Sequence, residues 1–296
     1  MPASINDLKG ILLPTTTPFD ANGQVSPGDI TSNINAWYAK GVIGFVVLGS
    51  TGERVHLDER EYLETIEVSR AAFDSVLIVG AGQQSTIGTI REVKNAARAG
   101  ADAVLVITPY FYRPAITQET LVSYYTAVAD EAPVPVLLYS MPPLTGIKIE
   151  PDTVACLSEH PNIIGVKDSS NDVEGFSRTV SLCAREFAVM TGNGTVLLDA
   201  LRAGATGGIL AVGCVVPEVC VEIFRAFKAG DEERAAMLQS KLTPLAAAVT
   251  TRFGIGGLKA ALDMVGYRGG DVRAPLRAPD DAARAEIASR IRVIRG

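Results

Sequence analysis

Apolar, β-branched runs recur along the chain, each bounded by Gly, Pro or Asp and each followed by an amphipathic stretch long enough for a helix. Eight are predicted to be strands: Gly10 to Thr15, Gly44 to Gly49, Val76 to Gly80, Ala103 to Thr108, Val134 to Tyr139, Ile163 to Lys167, Phe187 to Thr191 and Gly207 to Val212. They are continuously apolar rather than alternating, the pattern of parallel strands buried on both faces. Helix ends stand between them. Asp58 and Glu61 fit a capping box ahead of YLETIEVSRAAF, and Pro151 suits the first turn before DTVACLSEH. RAGADAVLVI at Arg98 to Ile107 and RAGATGGILAV at Arg202 to Val212 each place a Gly where a left-handed cap ends a helix and launches a strand, an echo between the fourth and eighth units.

Alternating β and α elements make a parallel sheet, closed or open. The even spacing of eight units favours an α/β fold, a (β/α)8 TIM barrel over residues 1–228. Residues 229–296 lack strand character and are expected as a C-terminal helical extension of the same domain. An open, dinucleotide-binding sheet would lean on GAGQQS at Gly80 to Ser85, which lacks the third Gly and an acidic residue closing a following strand. A length of 296 residues fits one such barrel.

Composition narrows the function. With 47% hydrophobic and 20% charged residues the chain can build a large core. A formal net charge of -6, without a cluster of Lys and Arg, argues against nucleic acid and anionic membrane as partners. The longest uncharged stretches are too short and too rich in Pro or Gly to span a bilayer, and Met1 to Gly10 has no apolar run, so a cytoplasmic protein is expected. The four cysteines lack metal-finger spacing and read as packing residues, and His56 and His160 stand far apart, so no metal is expected.

Barrel enzymes place their chemistry at the C-terminal ends of the strands. The polar residues there are Thr16, Thr17, Ser50, Thr51, Glu53, Tyr110, Arg113, Tyr139, Lys167 and Asn193. Lys167 closes the apolar run IIGV, and a lysine with the ordinary pKa of about 10.4 is almost wholly protonated at pH 7, so a nucleophilic one needs such a buried setting. It could equally pair with neighbouring Asp168; position leaves both readings open. Tyr139, on the preceding strand, is either a proton carrier beside Lys167 or an aromatic filling the barrel top. The turn Gly49 to Glu53, GSTGE, offers two hydroxyls and several backbone N–H groups to a carboxylate, although Ser-Thr-Gly also makes ordinary turns.

TTPF at Thr16 to Phe19, GSTGE, TPYFYRP at Thr108 to Pro114, LLYSMPPLTG at Leu137 to Gly146 and IIGVKDSS at Ile163 to Ser170 together resemble the dihydrodipicolinate synthase and N-acetylneuraminate lyase superfamily, in order and spacing across nearly the whole chain. The resemblance implies a class I pyruvate lyase or aldolase without metal or other cofactor, usually a homotetramer. Lys167 would be its Schiff-base lysine, Tyr139 its general acid/base, and Ser50 and Thr51 would assist. Substrate contacts are expected from Ser50, Thr51, Gly52, Ser169, Ile209, Tyr110 and Arg113. YSMPPLTG, HPNIIGVKDSS and the tail TTRFGIGGLKAALDMVGYRGGDVRAPL look like 4-hydroxy-2-oxoglutarate aldolase, which yields pyruvate and glyoxylate.

Two departures count against a synthase. Leu144 stands where synthases typically carry an Arg that anchors the aldehyde's carboxylate, and Phe111 stands where TPYYNRP puts a relay tyrosine; either Tyr110 or Tyr112 takes that role, or the relay runs only through Tyr139 and the hydroxyls of Ser50 and Thr51. Condensation of pyruvate with aspartate semialdehyde, a sialic-acid-lyase or sugar-acid dehydratase activity, and a non-catalytic barrel binding 2-oxo acids are the alternatives.

Overall fold

The computed structural model describes residues 3–296. Its strands are β1 (Ile11–Pro14), β2 (Gly44–Val47), β3 (Val76–Ala81), β4 (Ala103–Ile107), β5 (Val136–Ser140), β6 (Ile163–Asp168), β7 (Ala188–Thr191) and β8 (Gly207–Ile209). They form a closed, wholly parallel barrel in sequence order, with β8 pairing back onto β1. Closure rules out the open dinucleotide-binding sheet.

The outer helices are α1 (Pro27–Tyr38), α2 (Glu59–Ala72), α3 (Thr86–Arg98), α4 (Gln118–Glu131), the short α5 (Pro142–Thr145), α6 (Pro151–Ser158), α7 (Val173–Leu182), α8 (Leu197–Arg202) and α9 (Pro217–Lys228). After them come α10 (Glu232–Ala247), a π-helical turn (Ala248–Arg252), α11 (Gly254–Met264) and α12 (Asp281–Arg295). α10 packs on α9, and α11 and α12 pack together. None of these helices is long and apolar enough to cross a membrane.

Strand residues alternate between two apolar cores, as the period of two requires. Leu12, Val46, Leu105, Leu137, Met190 and Ile209 fill the barrel interior. Leu13, Val47, Val106, Leu138 and Val189 face the helices. Leu242, Leu245, Leu258 and Leu262 of the C-terminal helices belong to that same outer core. Leu8 and Ala3, just ahead of β1, join the interior cluster and close the barrel floor.

Local signals operate as expected. Asp58 Oδ1 accepts from the Glu61 N–H at 2.8 Å and Glu61 returns the bond to the Asp58 N–H at 3.1 Å, a reciprocal cap worth about 1 kcal/mol. Gly100 and Gly204, at φ +112° and +103°, end α3 and α8 alike in conformations open to glycine.

Two expectations need correction. The eighth strand stops at Ile209 rather than Val212, because Pro14 has no N–H to continue the β1–β8 ladder and Ala211–Cys214 turns into a 3-10 helix. Of the four cysteines, Cys214 and Cys220 are buried packing residues and Cys183 is half-buried, but Cys156 is exposed on α6, whose core face is taken by Val154 and Leu157.

Candidate functional site at the barrel mouth

Tyr139 on β5 and Lys167 on β6 are register partners, and Lys167 is in turn opposite Met190 on β7. Because Leu138 and Val166 face the helices, the same pleat turns Tyr139 and Lys167 inward. The lysine is 4% exposed, and its Nζ stands 4.4 Å from the centroid of the Tyr139 ring. No carboxylate of the described residues pairs with it. The Asp168 alternative fails geometrically: its Oδ1 accepts from the Ser170 N–H at 2.7 Å, and burial pushes its carboxyl above the ordinary aspartate range.

Tyr139 OH and Ser50 Oγ are 2.9 Å apart, linking the phenol to the turn after β2. In that turn the N–H groups of Gly52 and Glu53 are spent on the Gly49 and Ser50 carbonyls. Those of Ser50 and Thr51 meet no acceptor among the described residues, which leaves two adjacent donors for an anion. Thr17 Oγ1 donates to the Gly52 carbonyl at 2.7 Å and braces the turn from below, while the Thr16 hydroxyl is buried without a partner.

Ser169 and Ile209 also reach the lysine's surroundings. Ile209 is an interior residue of β8 in the cluster that holds Tyr139. A Cβ at Gly192 would overlap Ser169 Oγ and lie 2.7 Å from Lys167 Cε, so Ser169 and Lys167 meet over a glycine. Gly192 was not among the expected residues; its signal in the sequence is only its place one step past strand seven. Asn193, singled out for its position, instead caps the Gly194–Val196 turn and bonds Asn171.

A cleft of about 330 Å³ opens beside Ser50 and Tyr139, with Tyr110 and Leu144 in its wall. Val55, Ile107, Ile255 and Leu276 make much of the lining apolar. Its one arginine is committed, Arg54 pairing with Glu92, and His56 Nδ1 stands 3.3 Å from Glu53 Oε2. Arg113 lies outside the cleft, exposed, with its guanidinium against Gly146. Phe111 and Tyr112 are 71% and 70% exposed on the outer rim, stacked edge to face, so within one chain Tyr110 alone of the three aromatics faces the cleft. Among the described residues no three His, Cys, Asp or Glu side chains converge as a metal site would need.

The chain is 34% identical over 280 residues to a 4-hydroxy-tetrahydrodipicolinate synthase from Methanothrix thermoacetophila, covering 94% of each. It is 35% identical to another from Ruegeria pomeroyi, covering 94% of this chain and 96% of that one. Solved structures agree: a dihydrodipicolinate synthase from Bacillus anthracis superposes with a TM-score of 0.93 at 30% identity over 99% of both chains. A prophage protein of the same family from E. coli K12, solved in complex with pyruvate, gives 0.90 at 28% identity, covering 97% of this chain and 98% of that one. The first three of these carry the synthase name, whereas YSMPPLTG and the C-terminal tail point to the 4-hydroxy-2-oxoglutarate aldolase branch. Residues 7–294 match the Dihydrodipicolinate synthetase family, and the chain belongs to it as a class I, pyruvate-dependent lyase.

Proposed function

We propose that the chain makes or breaks the C3–C4 bond of a 2-oxo acid through a Schiff base on Lys167, with no metal or other cofactor in the step. The observation that carries this is the buried, carboxylate-free Lys167 amine set against Tyr139, whose phenol is tied to Ser50. The N–H groups of Ser50 and Thr51 hold the substrate carboxylate. The Lys167 nitrogen adds to C2, water leaves, and the iminium becomes an electron sink. In cleavage, Tyr139 removes the proton of the 4-hydroxyl, the C3–C4 pair flows into the iminium, and an aldehyde departs from the enamine. Protonation at C3 and addition of water then release pyruvate and restore the amine.

Two readings of the second reactant each have support. The names of the relatives favour condensation of pyruvate with aspartate semialdehyde, the enamine attacking the aldehyde. Leu144, 64% exposed in the cleft wall where synthases carry an arginine, and Phe111 on the rim favour cleavage of 4-hydroxy-2-oxoglutarate to pyruvate and glyoxylate. Borohydride reduction with pyruvate, followed by peptide mass spectrometry, tests the shared chemistry: an adduct elsewhere than Lys167, or none, ends it. Comparing the two substrates by kcat/KM on the same preparation then decides between the readings. The exposed Phe111, Tyr112 and Val55 at the cleft rim support burial against another copy, within the homotetramer we also propose; a monomeric mass by light scattering would contradict it.

A further inference from the structure

Beneath the GSTGE turn lies a buried ion pair that the chemistry above does not use. Lys259 of α11 and Glu53 are 2% and 1% exposed, with Nζ 2.6 Å from Oε1. The ammonium also donates to the carbonyls of Thr17 at 2.8 Å and Asp271 at 2.6 Å, so it is held from three sides. The Phe19 ring covers it at 4.4 Å. The second oxygen of Glu53 accepts from the Arg273 backbone N–H at 3.1 Å, and Arg273 forks onto Glu61 with two bonds of 2.8 Å.

Burying two charges is a poor way to gain stability, because desolvation offsets most of their attraction. The geometry of the turn gives the pair a different use. Among the described residues, Leu48 at φ +57° and Glu53 at φ +52° are the two non-glycine residues in the left-handed region, and they bracket Gly49 to Gly52. Each such conformation is unfavourable for a residue with a side chain and persists where surrounding contacts impose it. Lys259 imposes it twice: directly on Glu53, and through Thr17, whose hydroxyl holds the Gly52 carbonyl at 2.7 Å. Burial pulls the lysine below its ordinary pKa and the Glu53 charge opposes that pull, so loss of the carboxylate also weakens the ammonium's grip on Thr17.

We infer that Glu53 and Lys259 are positioning residues of the pyruvate site: the ammonium of the C-terminal extension fixes the Ser50–Thr51 backbone in its carboxylate-binding shape. The inference rests on the Schiff-base reading above. Full-length Glu53→Gln, Lys259→Met and the double variant are compared with the parent. The pyruvate concentration that half-saturates borohydride trapping on Lys167, the trapping rate at saturation, and Tm are measured for each. Half-saturation is expected to rise about 10- to 100-fold, the usual size for losing an outer residue that orients a ligand-binding group. The rate at saturation stays within about threefold, and the double variant is no worse than the poorer single, as members of one unit are non-additive.

An unmoved half-saturation, or a change confined to Tm, in folded Glu53→Gln overturns the inference. If Lys259→Met fails to fold, the near-isosteric Glu53→Gln and Thr17→Val, which removes the brace on Gly52 and nothing charged, decide it by the same readout. Trapping that fails in the parent refutes the Schiff-base reading; trapping that succeeds there but shows no shift in the variants refutes this inference alone.

Discussion

Replacing Gly192 by Ala adds one methyl where Lys167 bends past Ser169. The new Cβ would overlap Ser169 Oγ, stand 3.1 Å from Ser169 Cβ and 2.7 Å from Lys167 Cε. Carbon atoms settle at about 3.5–4.0 Å, so the lysine tip must retreat by about 1 Å. Overpacking of this kind costs about 1–3 kcal/mol, and Gly192 is not held at positive φ, so the alanine recovers about 0.4–1 kcal/mol through a less flexible unfolded chain. Net destabilisation is therefore small, on the order of 1–2 kcal/mol. The effect on chemistry is larger, since a displacement of about 1 Å at a reacting atom costs about 100-fold. Borohydride trapping at saturating pyruvate measures that loss directly, with Tm recorded beside it. Ser169→Ala placed on top relieves the overlap with Oγ but leaves the Lys167 contact, so it should restore Tm without restoring trapping. A Gly192→Ala protein that traps pyruvate within threefold of the parent rate would refute the placement of Lys167 over this glycine.

Three further outcomes follow from the site and its support. Tyr139→Phe should still be trapped on Lys167 yet lose turnover by about 100- to 10,000-fold, as loss of an acid/base group does; steady-state and trapping assays on one sample separate the two. Leu144→Arg adds a cation to a cleft wall whose one arginine, Arg54, is already paired, and a charge-assisted bond of about 1.5–3 kcal/mol predicts a gain of about 10- to 100-fold in kcat/KM for aspartate semialdehyde; no gain would mean that the wall does not face the aldehyde's carboxylate. Arg273 holds the Glu61 carboxyl below its ordinary value of 4.5, so Glu61 stabilises the fold fully above that pH and progressively less as acid titrates it through its lowered value. Glu61→Gln should therefore lose about 1.5–3 kcal/mol at pH 7 and show a shallower loss of stability below pH 4.5 than the parent in urea titrations; equal slopes would refute the linkage.

Much of this architecture was legible because it depends on local pattern. Runs such as VLIVG and AVLVI are apolar on both faces, and a strand buried between two cores demands that. Lys167 was visible for the opposite reason, a charge ending such a run. Whether it pairs with Asp168 was not legible, because the answer lies in which way the next residue turns: Asp168 bonds forward to Ser170. Gly192 escaped notice because its importance is the absence of a side chain opposite residues some 25 positions earlier. Lys259 lies more than 200 residues from Glu53, and nothing short of the closed fold brings them together. A lone lysine inside GIGGLKAAL, among otherwise apolar residues, marks a charge that must find a buried partner.

Leu8 and Ala3 shut the barrel floor, and on the Schiff-base reading that closure has a consequence for kinetics as well as packing. If Lys167 forms the Schiff base proposed above, access from below is shut, so both reactants, both products and the water exchanged at the imine would travel by the same route through the barrel mouth. Pyruvate, tethered to that lysine, would arrive first and leave last, while the aldehyde would come and go above it. Condensation would then follow a ping-pong scheme, with water expelled as the first product before the aldehyde enters, and cleavage an ordered release in which added pyruvate opposes the final step.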